Sequence, residues 1–404
     1  MATEGVRRYV DLQPGDPAPW FEQRGCENPR YVFDTAAGRW LVLCFFASAS
    51  DPVGREALAA ALARRDLFDD AHASFFGVTL DPGDEKRGRA RDSMPGIRFL
   101  LDFDGRVSRA YGAIPADSQP GGGRVPVQRF WFVIDPTLRI VAKIPFGTDG
   151  AGHREAIAMV ERLPAPGRHA GVELQAPVLL LPDVFEPELC EALIAAYDRI
   201  GGTPSGFMRQ IDGRTVLVSD PGHKRRRDCH IETPELVARI QARIRRRVVP
   251  EIRKVHQFEA TRMERYIVAC YDAEDAGHFN AHRDNTTRGT AHRRFAVSVN
   301  LNAGFEGGEV GFPEYGPRTF KPAPGAALVF SCSLLHAVTP VRRGRRLAFL
   351  PFLYDDAAAK LREVNNAYLA DGLDPYRPQD PDPARPGTPS GSEPASATEQ
   401  VDRS

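Results

Sequence analysis

Along the first 160 or so residues, apolar positions fall into short blocks separated by segments of helical period. YVFDTAAGRWLVLCFFAS, residues 31–48, reads as a hairpin leading into a buried strand. Residues 54–70 repeat apolar positions at three- and four-residue intervals, which predicts a helix. SFFGVTL and IRFLLD are short apolar strands. QRFWFVIDPTLRIVAKIPF is a second hairpin and REAIAMVERL a closing helix. Strands alternating with helices predict an α/β layer. PAPGRHAGVELQAP, rich in Pro and Gly, reads as a linker. After Pro177 the pattern changes. EPELCEALIAAYDRI and PELVARIQARIRRRVV are helical in period. RYIVACY, RRFAVSVNLN, GEVGF, GAALVFSCSLLHAV and RRLAFLPFLY then read as strands separated by Gly and Pro. A helical preface to an all-β core predicts a double-sheet jelly roll. The polar, Pro-rich stretch from Asp374 onward lacks the apolar surface to order itself, so a disordered tail is expected there.

Composition narrows the function classes. With 404 residues, two or three domains are expected. A hydrophobic share of 42% and a charged share of 26% are ordinary for a soluble globular chain. Fifty-three basic and fifty-three acidic side chains cancel, which argues against nucleic acid or anionic membrane as partner. No run of about 18 apolar residues offers a membrane span. The opening MATEGVRRYVDLQPGD has no apolar leader segment, so a cytoplasmic location is expected. Cys26, Cys44, Cys190, Cys229, Cys270 and Cys332 are scattered, which reads as reduced thiols rather than a disulfide framework or a zinc finger.

GHFNAHRDN, residues 277–285, concentrates metal-capable side chains. On a strand, residues i and i+2 share a face, so His282 and Asp284 stand side by side with Arg283 turned away. A third ligand must come from elsewhere in the chain. His336, at the end of the apolar run LVFSCSLLH, offers it. Two His and one carboxylate on one face of a metal leave open positions, as in non-haem Fe(II) oxygenases. Ten residues after His336 comes Arg346. A 2-oxoglutarate cosubstrate would present a distal carboxylate, and a planar, permanently charged guanidinium suits it. On a strand only one of Arg345 and Arg346 faces inward. His278 reads as a solvent- or substrate-facing residue, and His292 and His230 as structural or exposed. HKRRRDCH, residues 223–230, reads as a solvated basic loop able to cover the mouth of the site.

Residues 177–354 resemble the prolyl 4-hydroxylase branch of the 2-oxoglutarate/Fe(II) dioxygenases. The likeness rests on the HxD, the distal His and the following Arg, and on IVACYDAEDAGHFNAHRDN, VNLNAGFEGGEVGFPEYG and KPAPGAALVFSCSLLHAVTPVRRGRR. The resemblance implies a jelly roll over residues 177–356 with His282, Asp284 and His336 as catalytic iron ligands. It also implies Arg346 and Tyr271 in the 2-oxoglutarate pocket. The implied cofactors are Fe(II) and 2-oxoglutarate, with L-ascorbate a further candidate. The implied reaction consumes O2, converts 2-oxoglutarate to succinate and hydroxylates an aliphatic C–H of an unidentified small-molecule or peptidyl substrate. One departure concerns the cosubstrate pocket: where the family carries a tyrosine, VSVNLN offers Ser298 or Asn300.

Residues 10–160 resemble the peroxiredoxin branch of the thioredoxin fold through LQPGDPAPWF, WLVLCFFAS and RFWFVIDPTLRIV. Laid on that family's motif, Ala47 stands at the proline, Asp51 at the threonine and Gly54 at the peroxidatic cysteine, while Arg129 keeps its type. Glycine has no nucleophile, so the domain is expected to be degenerate and to serve packing, covering of the jelly-roll mouth, or homodimerisation. The organisation expected is thus multidomain α+β. A thioredoxin-like domain over 1–162 lacks its peroxidatic Cys; a linker spans 163–176, the oxygenase domain 177–356, and a helix with disordered tail 357–404. Two other readings stay open: a thiol-dependent redox protein with an accessory β domain, with Cys26 the reactive candidate, and a non-catalytic module that binds metal or 2-oxoglutarate.

Overall fold

The computed structural model describes residues 8–118 and 125–377. Of the tail expected from Asp374 onward, everything beyond residue 377 lies outside the described residues. The N-terminal part is a five-stranded sheet in the order Ile97–Leu101, Ala73–Thr79, Trp40–Ala47, Phe130–Ile134 and Ile140–Pro145. The first two pairings are parallel and the last two antiparallel. The three strands Trp40–Ala47, Ala73–Thr79 and Phe130–Ile134 are buried throughout, as continuous apolar runs require when both faces of a sheet are covered. Helices Pro52–Ala63 and Ala151–Glu161 cover one face with an apolar cluster around Phe46, Phe75 and Trp131. This is the thioredoxin-like layer.

The hairpin expected at residues 31–48 takes another form. Tyr31–Val32 pairs with Glu22–Gln23, and Phe33–Ala36 forms a 3-10 turn. The strand Trp40–Ala47 already has hydrogen-bonded neighbours on both edges, so the preceding segment has no edge to join. Burial of Phe33 and Ala36 holds the turn instead.

The C-terminal part packs two antiparallel sheets face to face. The larger runs Arg262–Glu264, Phe352–Tyr354, Phe295–Asn300, Arg345–Phe349, Ile267–Asp272, Arg227–His230 and Thr203–Pro204. Ala327–Ser331 also pairs with Phe295–Asn300, and Leu179–Leu181 pairs with it in turn. The smaller runs Lys224–Arg225, His278–His282, His336–Val338, Val310–Gly311 and Thr319–Phe320. Helices Pro187–Ile200 and Pro234–Arg247 cover the outer face of the larger sheet through Leu189, Leu193, Ile240 and Ile244. Glu186 ties the two helices together by accepting from Arg243 Nε and Nη2 at 2.8 and 2.9 Å. Among the described residues no helix is long and apolar enough to cross a membrane.

Among the elements that escape the periodicity reading are helix Val249–His256 and the hairpin of Phe207–Ile211 with Arg214–Val218. The basic run 223–230 is a correction of a different kind. It is not a solvated loop but strands Lys224–Arg225 and Arg227–His230. Lys224, Arg226 and Asp228 point inward while Arg225 and Arg227 face solvent. The inward charges are tolerable because they meet one another: Arg226 donates from Nε and Nη2 to both oxygens of Asp228 at 2.7 Å.

Candidate metal centre and cosubstrate pocket

His282 closes the strand His278–His282 and His336 opens His336–Val338; the two are direct partners across the smaller sheet. His336 thus begins a new strand after a turn rather than ending the run Ala327–Ser331. Asp284 lies just beyond the strand, where its N–H donates to Cys332 O at 2.9 Å. Even so, the three side chains converge. Their ligand atoms all lie within 4.8 Å of one another. Asp284 Oδ1 stands 3.6 Å from His282 Nε2, and Oδ2 3.4 Å from His336 Nε2.

Both imidazoles are anchored by the nitrogen that faces away. His282 Nδ1 bonds Asn280 O at 2.7 Å and His336 Nδ1 bonds Leu334 O at 3.0 Å. A carbonyl only accepts, so each Nδ1 carries the hydrogen and each Nε2 presents a lone pair to the centre. Burial, with His336 beside it, pushes the His282 imidazole down to about 4, so it is neutral and ready to ligate. Burial by itself would raise the Asp284 carboxyl. The neighbouring His336 and His282 outweigh it and hold the group below its usual range. Two imidazoles and one carboxylate at this spacing suit a divalent first-row metal such as Fe(II).

Arg346 stands opposite Tyr271 across the larger sheet and is 1% exposed. Its Nε donates to Asn300 Oδ1 at 3.0 Å and its Nη2 to Ser298 Oγ at 2.7 Å. Its Nη1 is buried with no hydrogen-bond partner. The residues found in place of the family's tyrosine therefore orient the guanidinium itself and leave one edge to a ligand. Arg345 points the other way and pairs with Asp198 at 2.9 Å. Tyr271 lies between two guanidinium groups, 5.7 Å from that of Arg226 and 5.5 Å from that of Arg346. Arg226 Nη1 donates to its hydroxyl at 3.3 Å. These residues, with the three metal-capable side chains and apolar Phe279, Val310, Phe330 and Val338, line a narrow cavity of about 60 Å³.

A wider groove of about 1110 Å³ opens on the same His282 and Asp284. Its walls include the hairpin residues Phe207 and Leu217, and Trp20 and Thr35 of the N-terminal domain. Lys224 lines it too. Burial and then Arg226 push that amine down to about 5, and its Nζ meets Ser205 Oγ at 2.7 Å and Gly206 O at 2.6 Å. His278 is not part of the centre; its Nδ1 bonds Ala276 O. His292 is buried beside Glu264 and His230 is exposed. Arg226 and Lys224 were missed in the sequence. K-R-R-R-D carries no apolar–polar alternation, so nothing in the letters marked the inward positions.

In the first domain, the position expected to correspond to the peroxidatic cysteine has no room for a side chain. A Cβ on Gly54 would lie 1.9 Å from Ser48 O. Asp51 caps the helix by accepting from Gly54 N at 2.8 Å and takes Arg129 Nη2 at 2.7 Å. Cys26 is half-buried, with Sγ against Ala90 O at 3.3 Å. Burial, then Asp92 and Glu85, push its thiol up to about 12. Cys44 is buried and raised well above its usual value by burial. Neither thiol is lowered toward a thiolate by its surroundings.

Comparison with known families agrees region by region. Residues 255–354 match the 2OG-Fe(II) oxygenase superfamily, and residues 14–143 match the AhpC/TSA family. Similar solved structures include a prolyl-4-hydroxylase from Pseudomonas putida, at 17% identity and TM-score 0.35, covering 45% of this chain and 93% of that one. A prolyl hydroxylase from Trichoplax adhaerens, in complex with a hypoxia inducible factor oxygen degradation domain peptide, stands at 16% and 0.36, covering 54% and 97%. Peroxidoxin BcpB from Mycobacterium tuberculosis stands at 21% and 0.33, covering 38% and 99%.

Proposed function

We propose, for a chain that carries a 2OG-Fe(II) oxygenase region behind an AhpC/TSA-type region, the activity of an Fe(II)- and 2-oxoglutarate-dependent dioxygenase that hydroxylates an aliphatic C–H. The observation that carries this reading is one narrow cavity that brings together the ligand atoms of His282, Asp284 and His336, all within 4.8 Å of one another, and the unpartnered Arg346 Nη1. His282, Asp284 and His336 would hold the iron. When bound, the iron would activate O2, the oxidant, so that one oxygen atom goes into succinate as 2-oxoglutarate loses CO2 and the other goes onto the substrate. The chain's own residues do the rest. Arg346 would take the distal carboxylate of 2-oxoglutarate in a charge-assisted pair, with Ser298 and Asn300 fixing its plane. Phe279, Phe330 and Val338 would keep water from that pair, which strengthens it. The groove would admit the substrate to the face of the metal left open by the three ligands.

The groove's volume suits a peptidyl or other extended substrate better than a single amino acid. Ascorbate belongs to this reading as an assay reductant, and a cytoplasmic location with reduced cysteines is part of the same proposal. The deciding experiment is succinate formation from 2-oxoglutarate with Fe(II), screened against a panel of peptides and metabolites. Substrate-stimulated turnover is expected. Tight binding of metal and 2-oxoglutarate with no turnover across the panel would favour a non-catalytic binding module.

A further inference from the structure

Arg283 separates the two ligands His282 and Asp284, yet it points away from the metal and is 7% exposed. Its Nε donates to Asp34 Oδ2 at 3.0 Å. Its Nη2 donates to Glu314 Oε1 at 3.0 Å, and its Nη1 to Glu314 Oε2 at 3.2 Å and Ser333 O at 2.5 Å. Trp20 stacks beneath the guanidinium at 4.4 Å. Asp34 and Trp20 belong to the N-terminal domain, whereas Glu314 and Ser333 belong to the oxygenase domain. Glu314 Oε2 also accepts from Leu335 N at 3.1 Å, one residue before His336. The side chain of Leu335 is fully buried in the N-terminal domain's apolar cluster with Phe33, Phe45 and Phe76, and Ala281 packs against the same cluster. The backbone contact is equally close: a Cβ on Gly38 would lie 2.5 Å from Cβ of Pro313. Each metal-capable side chain is thus adjacent in sequence to a residue gripped from the N-terminal side.

We infer that the peroxiredoxin-like domain is a positioning element of the metal centre: Asp34, acting through Arg283 and Glu314, fixes the backbone that carries His282, Asp284 and His336. This rests on the iron-site reading above. A buried guanidinium between two carboxylates has few alternative arrangements, because each partner left alone would be an unpaired buried charge. It can therefore hold the turn between two ligands in one geometry. The loss of redox chemistry at Gly54 leaves this face of the domain intact.

The test uses the full chain and Co(II) alone as probe, with affinity read by calorimetry and ligand geometry by the visible spectrum of bound Co(II). Asp34→Asn is expected to weaken Co(II) binding by about tenfold and shift the spectrum, the usual scale for a group that orients metal ligands. Asp34→Glu is expected to recover part of the affinity. Arg98→Met serves as control. It breaks another ion pair of the same domain, Arg98 to Asp70 at 2.6 Å, and is expected to lower Tm with Co(II) affinity unchanged. If Asp34→Asn does not fold, Trp20→Leu carries the test and is expected to give a smaller loss in the same direction. Wild-type affinity in the folded Asp34 or Trp20 variant overturns the inference. So does an Arg98→Met loss equal to that of Asp34→Asn, since the effect would then be general destabilisation. Absence of Co(II) binding to the wild type would instead overturn the iron-site reading.

Discussion

Two arginines, one in each domain, are singled out in the sequence, and their surroundings differ in kind. Arg129 has its charge taken by Asp51 at 2.7 Å and donates from Nε to Phe46 O at 3.1 Å. Asp51 is in turn committed to the helix cap, and no side chain fits at Gly54. Arg346 is equally constrained on two of its nitrogens but keeps Nη1 buried and without a partner. Folding pairs nearly every buried polar group. A site whose polar groups satisfy one another has nothing left for a ligand, whereas one that keeps a buried donor unpaired is built to receive an acceptor. The two arginines are distinguished less by their residue type than by which of their nitrogens are unengaged.

The comparison breaks most sharply at the metal. His282→Ala or His336→Ala is expected to abolish succinate formation while circular dichroism stays that of the wild type. Full turnover in either variant would put the centre elsewhere. Arg346→Ala comes next. Loss of a desolvated charge pair costs on the order of 2–5 kcal/mol, so the KM for 2-oxoglutarate is expected to rise roughly 30-fold to several-thousand-fold, with Co(II) affinity little changed. Arg345→Ala, on the outer face, is expected to leave that KM alone.

In the first domain, Gly54→Cys tests whether lost chemistry can be restored by one residue. The added Cβ would overlap Ser48 O, so the variant is expected to lose about 1–3 kcal/mol in denaturant unfolding. Its peroxide consumption with a thiol reductant should stay at the no-enzyme rate. Brisk consumption would mean that the position opens more readily than its packing implies. The smallest effect lies away from both sites. Arg243, ahead of burial and of Arg239, holds the Glu186 carboxyl down to about 2. Its folded pKa lies below the ordinary 4.5, so this pairing stabilises fully above that pH and is lost as pH falls through about 2. Glu186→Gln is expected to cost at most about 1 kcal/mol at pH 7, and the gap in unfolding free energy should narrow below pH 4.5.

Much of the architecture is written in local periodicity. Apolar runs locate the strands Trp40–Ala47, Ala73–Thr79 and Ile267–Asp272, and helical spacing locates Pro187–Ile200 and Pro234–Arg247. The helix Val249–His256 was hidden by the proline near its start, which reads as a break but is acceptable in a first helical turn. Residues 223–230 were misread because inward and outward positions carry the same charged letters, so no alternation marks the strand.

The sequence by itself determined which side chains could serve a metal and a carboxylate. Spacing along a strand and the chemistry of His, Asp and Arg are local properties that survive without a fold. Only the tertiary structure decided which of them are left without partners. Arg346 keeps one buried nitrogen unpaired because Ser298 and Asn300, on a neighbouring strand, occupy the other two. Arg129 becomes a strut because Asp51, 78 residues away in sequence, neutralises it. Arg283 reaches Asp34 across 249 residues, a pairing that no periodicity encodes. Such contacts depend on which surfaces the fold brings together, and the free energy of a buried polar group depends on its partners rather than on its letter.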